Sequence, residues 1–302
     1  MKPKHQHGYN ASHTILCERT LVTLLRGIGP WKAGIYVIGG LAPRYLIPTS
    51  EQAQGLPDHV GTTDVDLLLN LTLLTEIEAY SRLEKNLKAL NFERGKNVEG
   101  EAQHFSWRKE VGAGATVVVD LLCDKPIEEG GTVTPIIGEK RLSALGIPGA
   151  YLAMEDFVEV SLTQEMLDDR GVATETIRVA NIVPLLVLKC LAYDDRMEEK
   201  DAYDIIYCLS HYQKGPDSVA VSYAASLSRL PTDPLLRKAI DILKNRFASD
   251  ATPGYRKDGP VSYARFHADP SRTDQNAVRQ REAATVVEAF LFQLISHSKA
   301  TI

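Results

Sequence analysis

Three aspartates in the first half of the chain have the residue type and spacing of a divalent-metal site. Asp64 and Asp66 lie two apart in the apolar stretch TDVDLLLNL (63–71), and Asp120 ends the apolar run TVVVD. Residues two apart on a β-strand point to the same face, so we expect the first two carboxylates to lie side by side. A divalent cation relieves the repulsion between them, and carboxylate oxygens suit Mg²⁺. With Asp120 on a neighbouring strand, the three would hold Mg²⁺ against a triphosphate, as in phosphoryl transfer.

Simpler interpretations of these aspartates stay open from the sequence. A D-x-D pair can mark a strand end with solvent-exposed acids, and an aspartate at a strand end, such as Asp120, is a common turn residue. Asp124 competes with Asp120 for the third position, but it lies past the apolar run. We therefore favour Asp120.

A glycine pair, Gly39 and Gly40, lies between the apolar segment GIYVIGG (34–40) and LAPRYLI, a predicted helix start. Such a pair can be an ordinary sharp turn, or it can let backbone N–H groups approach a phosphate closely. Because the D-x-D pair follows 24 residues later, we interpret the glycines as the floor of a phosphate site.

A lysine in the second half, Lys189, lies in the otherwise apolar segment VPLLVLKCLAY. Its ammonium group must either reach solvent along its apolar stem or meet a partner, and we favour a phosphate or carboxylate partner. In one unbroken helix, Lys189, Arg196 and Lys200 would lie within about 20° of one another and form a basic stripe suited to a triphosphate. Alternatively, DDRMEEKD (194–201) is a loop in which Asp201 caps the next helix.

Two further aspartates, Asp201 and Asp204, are candidates for positioning Lys200 and the acceptor. Their simpler roles are a helix cap and partners for Lys200 or Arg196. Both interpretations stay open from the sequence.

The elements that must position these residues form a mixed α/β first half and a helical second half. We predict an α/β (α+β) domain with a mixed sheet over residues 1–182, then an all-α domain over 183–302 that contributes to the active site. The predicted elements of the first domain are a helix at 12–29, a strand at 34–40, a loop at 48–62, a strand at 63–71, a helix at 74–91, a hairpin at 104–124 and strands at 153–162 and 175–181.

Composition limits the function classes. A net charge of −5 and a pI near 5.9 count mildly against a general nucleic-acid binder. No apolar run is long enough to span a membrane, and the N-terminus lacks the pattern of a secretory signal. The four cysteines have no C-x-x-C spacing, so neither a zinc site nor a disulfide framework is indicated. We therefore expect a cytoplasmic protein that is not bound to a membrane.

The order of these motifs resembles the polymerase-β-type nucleotidyltransferase superfamily, in which a strand ending in G-G and a helix precede a strand with h-D-h-D-h. The segment LLVLKCLAYDDRMEEKDAYDII resembles the later motifs of the AbiEii-type nucleotidyltransferase toxins, a helical lysine followed by a basic residue and K-D-x-x-D. In this chain these residues are Lys189, Arg196, Lys200, Asp201 and Asp204. The resemblance covers residues 39 to 204, about half of the chain, and no part of the last hundred residues.

The resemblance implies a Mg²⁺-dependent enzyme that moves a nucleoside monophosphate from an NTP to an acceptor hydroxyl. Gly39 and Gly40 would meet the β- and γ-phosphates, while Asp64, Asp66 and Asp120 would bind the metal. Asp120 would also help to deprotonate the acceptor, and Lys189 would neutralise the triphosphate. The family occurs in abortive-infection and toxin–antitoxin systems, so the acceptor would be a tRNA 3′ end and the partner a cognate antitoxin. A protein hydroxyl is a competing acceptor.

The chain departs from the family pattern before the D-x-D pair. The family often has an arginine there, as in R-x-T-x-D, whereas this chain has HVGTTDVD, with His59, Thr62 and Thr63. Two other function classes stay open. One is a small-molecule transferase of the antibiotic-modifying kind, which the negative net charge fits weakly. The other is a non-catalytic relative that binds a nucleotide or a protein, although the intact D-x-D pair argues against it.

Overall fold

The computed structural model describes residues 3–48, 57–71, 77–96, 100–111, 115–136, 142–267 and 274–300. These residues form a mixed sheet with helices, and the chain from Ile182 onward is helical, which confirms an α/β part followed by a helical part. Two compact units are present. The sheet unit comprises Asn10–Tyr45 and Gly61–Asn181, and the helical unit comprises Met1–Tyr9, Leu46–Val60 and Ile182–Ile302.

The sheet unit is built on strands that follow the apolar runs of the sequence. Within the described residues the strands are β1 (Ile35–Ile38), β2 (Asp64–Leu69), β3 (Glu93–Lys96), β4 (Ala102–Val111), β5 (Ala115–Asp124), β6 (Val133–Pro135), β7 (Ser143–Ile147), β8 (Phe157–Glu165) and β9 (Val172–Ala180). Seven of these strands lie in the order β3-β4-β5-β2-β1-β9-β8, while β7 pairs with β5 and β6.

The central strand β2 pairs antiparallel with β1 and parallel with β5. Val65, Leu67 and Leu69 are fully buried, as expected for an apolar run in the middle of a sheet. Their packing fixes the register of β2, because a slip by one residue would turn every side chain to the other face. The register therefore also fixes the positions of the two aspartates on this strand.

Helices cover the sheet and connect its strands. The first helix, α1 (Ala11–Ile28), has its N-terminal cap at Asn10, whose side chain accepts a 2.7 Å hydrogen bond from the backbone N–H of His13. It packs on β8, β9 and β5, and also on α3 (Ile77–Ala89). The helices before Ile182 in the described part of the chain are α1 (Ala11–Ile28), α2 (Pro43–Leu46), α3 (Ile77–Ala89) and α4 (Tyr151–Glu155).

The helical unit contains the rest of the helices. Pro216 and Pro234 each lie in the first turn of a helix, where the missing N–H of proline removes no intrahelical hydrogen bond. The helices described in this unit are α5 (Ile182–Arg196), α6 (Glu199–His211), α7 (Pro216–Arg229), α8 (Pro234–Phe247), α9 (Asp258–Phe266) and α10 (Asp274–Ala300).

Two sequence expectations need correction or restriction. The predicted strand at 153–162 was wrong at its start, because α4 extends to Glu155 and β8 begins at Phe157. The strands β3, β6 and β7 were not predicted. Of the loop expected at 48–62, residues 49–56 lie outside the described residues, and 57–62 are neither helix nor strand. The segments Met1–Tyr9 and Leu46–Val60 belong to the helical unit, although both lie within the range predicted as the first domain.

Candidate metal centre

Asp64, Asp66 and Asp120 come together on one face of the sheet. In the parallel pair of β2 and β5, Asp66 lies opposite Asp120, and Asp64 lies two residues earlier on the same face. One carboxylate oxygen from each residue lies within 4.8 Å of the others. Asp64 is only 5% exposed, while the other two are half-buried. Three carboxylates this close and partly desolvated form a concentrated negative charge that a cation would stabilise.

The donor set fits a hard divalent cation. All three candidate ligands are carboxylate oxygens, the ligand type that Mg²⁺ takes in proteins, and Mg²⁺ usually completes its shell with substrate phosphates and water. A zinc site would instead draw on histidine or cysteine. We identify this triad as the candidate metal centre.

Gly39 makes room for one of these carboxylates. Its φ of +70° lies in the left-handed region that favours glycine, and it follows Ile38, which lies opposite Asp66 in the sheet. A Cβ on Gly39 would overlap Oδ2 of Asp66 and lie 2.8 Å from its Cγ. Gly40 is buried in the same tight turn, without a positive φ. The turn therefore admits the Asp66 carboxylate, a role that the sequence did not predict.

Asp124, the competitor of Asp120, serves a different contact. It ends β5, and its carboxylate accepts a 3.0 Å hydrogen bond from the backbone N–H of Tyr151, the first residue of α4. Burial raises the pKa of its carboxyl group above the ordinary value. Among the described residues, the cluster that could hold a metal contains Asp120 and not Asp124.

Side chains from α1 and from the segment before β2 border the metal centre. Thr62 donates a 2.5 Å hydrogen bond from its hydroxyl to Oδ1 of Asp64. The Cys17 thiol on α1 lies 3.9 Å from the carbonyl oxygen of Thr62. Burial raises the pKa of Cys17, and the nearby carboxylates of Asp64 and Asp66 raise it further, so the thiol stays protonated at neutral pH.

The second set of predicted residues forms a buried ion-pair cluster in the helical unit. Lys189 Nζ lies 3.0 Å from Asp201 Oδ1 and 2.6 Å from Asp204 Oδ2. Lys200 also pairs with Asp204, and Arg196 Nη2 lies 2.7 Å from Asp201 Oδ2. Lys189 therefore meets carboxylates, one of the two partner types that its apolar setting predicted.

The three cations do not form a stripe on one helix. Helix α5 ends at Arg196, Met197 has a φ of +53°, and α6 begins at Glu199. Asp201 lies in the first turn of α6 but is not the cap, which is Glu198. The unbroken-helix expectation was wrong, because the chain turns between the two helices. The alternative prediction of a loop was correct that the helix is interrupted here. It was wrong that Asp201 caps the next helix.

A histidine outside the predicted site residues completes the cluster. His59 Nε2 lies 2.8 Å from Asp204 Oδ1, and its ring packs on Tyr203 and Tyr207. Burial and the positive charge of Lys200 lower the pKa of His59 to about 4. The ring is thus neutral at pH 7, and because an ionised carboxylate only accepts hydrogen bonds, Nε2 carries the proton.

Burial and ion pairing oppose each other in this cluster. Burial alone would raise the pKa of Asp204, but Lys189, Lys200 and His59 hold it well below its ordinary value. For Lys189, burial lowers the pKa, yet Asp204 and Asp201 more than offset it and raise the pKa above its usual range. For Lys200, burial prevails over Asp204 and the pKa falls. Asp204 is fully buried, so its charge depends on these partners.

Sequence reasoning missed two contact residues, Thr62 and His59. Both lie in HVGTTDVD, the segment in which the family arginine is absent, and that departure was the one available signal. Nothing in the local pattern indicates that His59 meets Asp204, 145 residues later in the chain. Such a contact is set by the tertiary fold.

No family model, no curated protein and no solved structure matches this chain. None of the helices in the described part of the chain is both long enough and apolar enough to cross a membrane.

Proposed function

We propose that this chain is a Mg²⁺-dependent nucleotidyltransferase that moves a nucleoside monophosphate from an NTP to an acceptor hydroxyl and releases pyrophosphate. The observation that carries the proposal is the convergence of Asp64, Asp66 and Asp120 within 4.8 Å on adjacent parallel strands. Solvated surface acids do not need such an arrangement, whereas a metal site does. A nucleotidyltransferase fold of the polymerase-β type accounts for the triad on strands next to a glycine turn.

The three aspartates have distinct tasks in this proposal. Asp64 and Asp66 hold Mg²⁺, and Asp120 completes the ligand set and takes the proton from the acceptor hydroxyl. When bound, the ion neutralises phosphate charge and orients the triphosphate. Gly39 holds the Asp66 carboxylate in the cluster by leaving space for it, and the amides of Gly39 and Gly40 bind phosphate.

The family resemblance implies that the cations of the helical unit bind the triphosphate. Arg196 is the most accessible, with 42% of its side chain exposed, and its guanidinium suits bidentate contact with phosphate. Lys189 and Lys200 are largely buried and add positive charge behind it. Asp201 and Asp204 position these cations, because each carboxylate pairs with two of them.

The acceptor and the biological role rest on the family resemblance alone. It implies a cytoplasmic toxin that modifies tRNA 3′ ends and is controlled by a cognate antitoxin. The negative net charge of −5 makes a protein hydroxyl a competing acceptor.

A labelling experiment tests the proposed activity. The protein is incubated with each α-³²P-labelled NTP, Mg²⁺, total RNA and cell lysate, and the products are resolved by electrophoresis. We expect label on tRNA, and a loss of about 100-fold or more in Asp64→Asn and Asp66→Asn, because each removes the negative charge of a metal ligand. Asp124→Asn is the matched control, since it lies outside the triad and the amide oxygen can still accept from Tyr151. Label on protein instead of tRNA would identify a protein as the acceptor. Labelling by the triad variants equal to that by wild type would refute the metal assignment.

A further inference from the structure

The Thr62 hydroxyl contacts a metal-centre carboxylate from the segment that precedes β2. Its Oγ1 lies 2.5 Å from Asp64 Oδ1. The same oxygen accepts a longer hydrogen bond, 3.4 Å, from the backbone N–H of Asp64. An ionised carboxylate has no proton to donate, so the hydroxyl proton must point to Oδ1. Thr62 therefore contacts the side chain and the backbone of Asp64 with one oxygen.

Thr62 is in turn held by helix α1. Its backbone N–H donates a 3.2 Å hydrogen bond to Oγ1 of Thr14, and its carbonyl oxygen faces the thiol of Cys17. Thr14 and Thr62 are both buried. Gly61 permits this close approach, because its φ is +86° and a Cβ there would overlap Thr14 Oγ1. These contacts fix the backbone of Thr62, and therefore also the position of its hydroxyl beside Asp64.

From this chain of contacts we infer that Thr62 is a positioning residue of the metal centre, and the inference rests on the proposed function. Repulsion among three clustered carboxylates favours rotation of Asp64 away from Asp66 and Asp120 when no cation is bound. The hydrogen bond from Thr62 opposes that rotation and keeps Asp64 in the orientation that forms the cluster. Thr62 itself does not bind the metal or the substrate. Its effect on the site passes through Asp64.

A positioning role predicts a specific effect on metal affinity. Removing a hydrogen-bond partner of a ligating carboxylate typically weakens metal binding about 10- to 100-fold. We expect Thr62→Val, which keeps the branched shape but lacks the hydroxyl, to weaken Mn²⁺ binding by about 10-fold or more. Thr62→Ser keeps the hydroxyl and should recover most of the affinity.

The experiment measures Mn²⁺ binding to the full chain by the electron paramagnetic resonance signal of free Mn²⁺. Thr63→Val is the matched control, because the neighbouring Thr63 hydroxyl makes no hydrogen bond within the described residues. Asp64→Asn shows how far Mn²⁺ binding falls when one ligand loses its negative charge. Thermal unfolding of every variant separates metal affinity from stability, and Thr62→Ala replaces Thr62→Val if the latter does not fold.

The outcomes separate this inference from the proposed function. Weak binding by Thr62→Val, with near-normal binding by Thr62→Ser and Thr63→Val, supports the positioning role. Equal binding by wild type and Thr62→Val, while Asp64→Asn loses binding, overturns that role and leaves the metal centre intact. A wild-type chain that binds no Mn²⁺ overturns the metal centre and the positioning role together.

Discussion

Gly39 lies against Asp66 so closely that a side chain at this position would displace a carboxylate of the metal centre. We expect Gly39→Ala to lower nucleotide transfer about 100-fold and to weaken Mn²⁺ binding, because the added Cβ would overlap Asp66 Oδ2. Labelling assays and Mn²⁺ titration measure the two effects.

Gly171→Ala is the control for backbone strain. Gly171 also has a positive φ, +82°, but a Cβ there would meet nothing within 4 Å. Both variants have the cost of an alanine in the left-handed region, about 1–2 kcal/mol. Only Gly39→Ala adds a steric clash with Asp66. Equal transfer by the two variants would contradict the role assigned to Gly39.

The stability of the helical unit depends on pH through His59. Its folded-state pKa of about 4 lies below the ordinary value of 6.5, so the unfolded chain binds more protons between these two values. The stability that neutral His59 provides is therefore complete above about pH 6.5 and is lost as the pH falls towards 4. At 1.36 kcal/mol per pKa unit, the loss is about 3 kcal/mol.

The measurement compares the free energy of unfolding of wild type and His59→Gln across pH 4–7. The comparison is needed because burial also lowers the pKa of His211 and His267. We expect the wild-type advantage to shrink as the pH falls. An NMR titration that places the His59 midpoint near 6.5 would contradict this account.

At the scale of elements, periodicity predicted α1, β2, β5 and the helical character of the chain after residue 182. Their apolar residues recur at the spacing of buried helices and strands, so local sequence was sufficient. The strands β3 and β6 were missed, because ERGK and VTP are short and mostly exposed, without an apolar run. The break after Arg196 also escaped periodicity, since the charged residues that surround it are compatible with a helix or a loop.

Part of the candidate site was also predictable, because the spacing of its aspartates is a local feature of the sequence. The D-x-D spacing places Asp64 and Asp66 on one face of any strand, and Asp120 follows a similar apolar run. The register that sets Asp66 opposite Asp120, and the contact of His59 with Asp204, are tertiary and have no local signal. Likewise, Lys189 had to meet a partner because of its apolar neighbours, but the sequence did not identify which of the available anions it would be.

Asp204 on α6 stabilises the packing of α6 on α5, because it pairs with Lys189 of α5 as well as with Lys200 and His59. We expect Asp204→Asn to destabilise the fold by about 3–5 kcal/mol, because it leaves the buried Lys200 without its carboxylate partner and Lys189 with Asp201 alone. Chemical denaturation measures the change. Asp241→Asn is the control, since its pair with Lys244 is exposed, and we expect a change within about 0.5 kcal/mol. Equal effects of the two substitutions would contradict a stabilising cluster.

At the scale of the whole molecule, the helical unit is assembled from three separate segments of the chain. The segment that ends at Val60 is tied to α6 by three contacts. His59 meets Asp204, Val60 N–H donates to the Tyr203 hydroxyl at 3.1 Å, and the Tyr207 hydroxyl donates to the Pro57 carbonyl at 3.0 Å. The helices after Ile182 therefore lack part of their own unit when they are expressed alone.

We expect a fragment of residues 182–302 to unfold with low cooperativity. Without His59 and the segment before it, Asp204 loses a partner and the tyrosine hydroxyls lose theirs. Thermal unfolding followed by circular dichroism measures this, and fusing residues 46–60 to the fragment should raise its melting temperature. An unchanged melting temperature after the fusion would contradict the role of this segment.

The central claim is that Asp64, Asp66 and Asp120 together bind a divalent metal. Anomalous diffraction from crystals grown with Mn²⁺ and a non-hydrolysable NTP analogue tests it most directly. We predict a manganese peak about 2.2 Å from an oxygen of each of the three carboxylates, and no peak there in Asp66→Asn crystals. A manganese ion bound elsewhere, with none at the triad in wild type, would contradict the account.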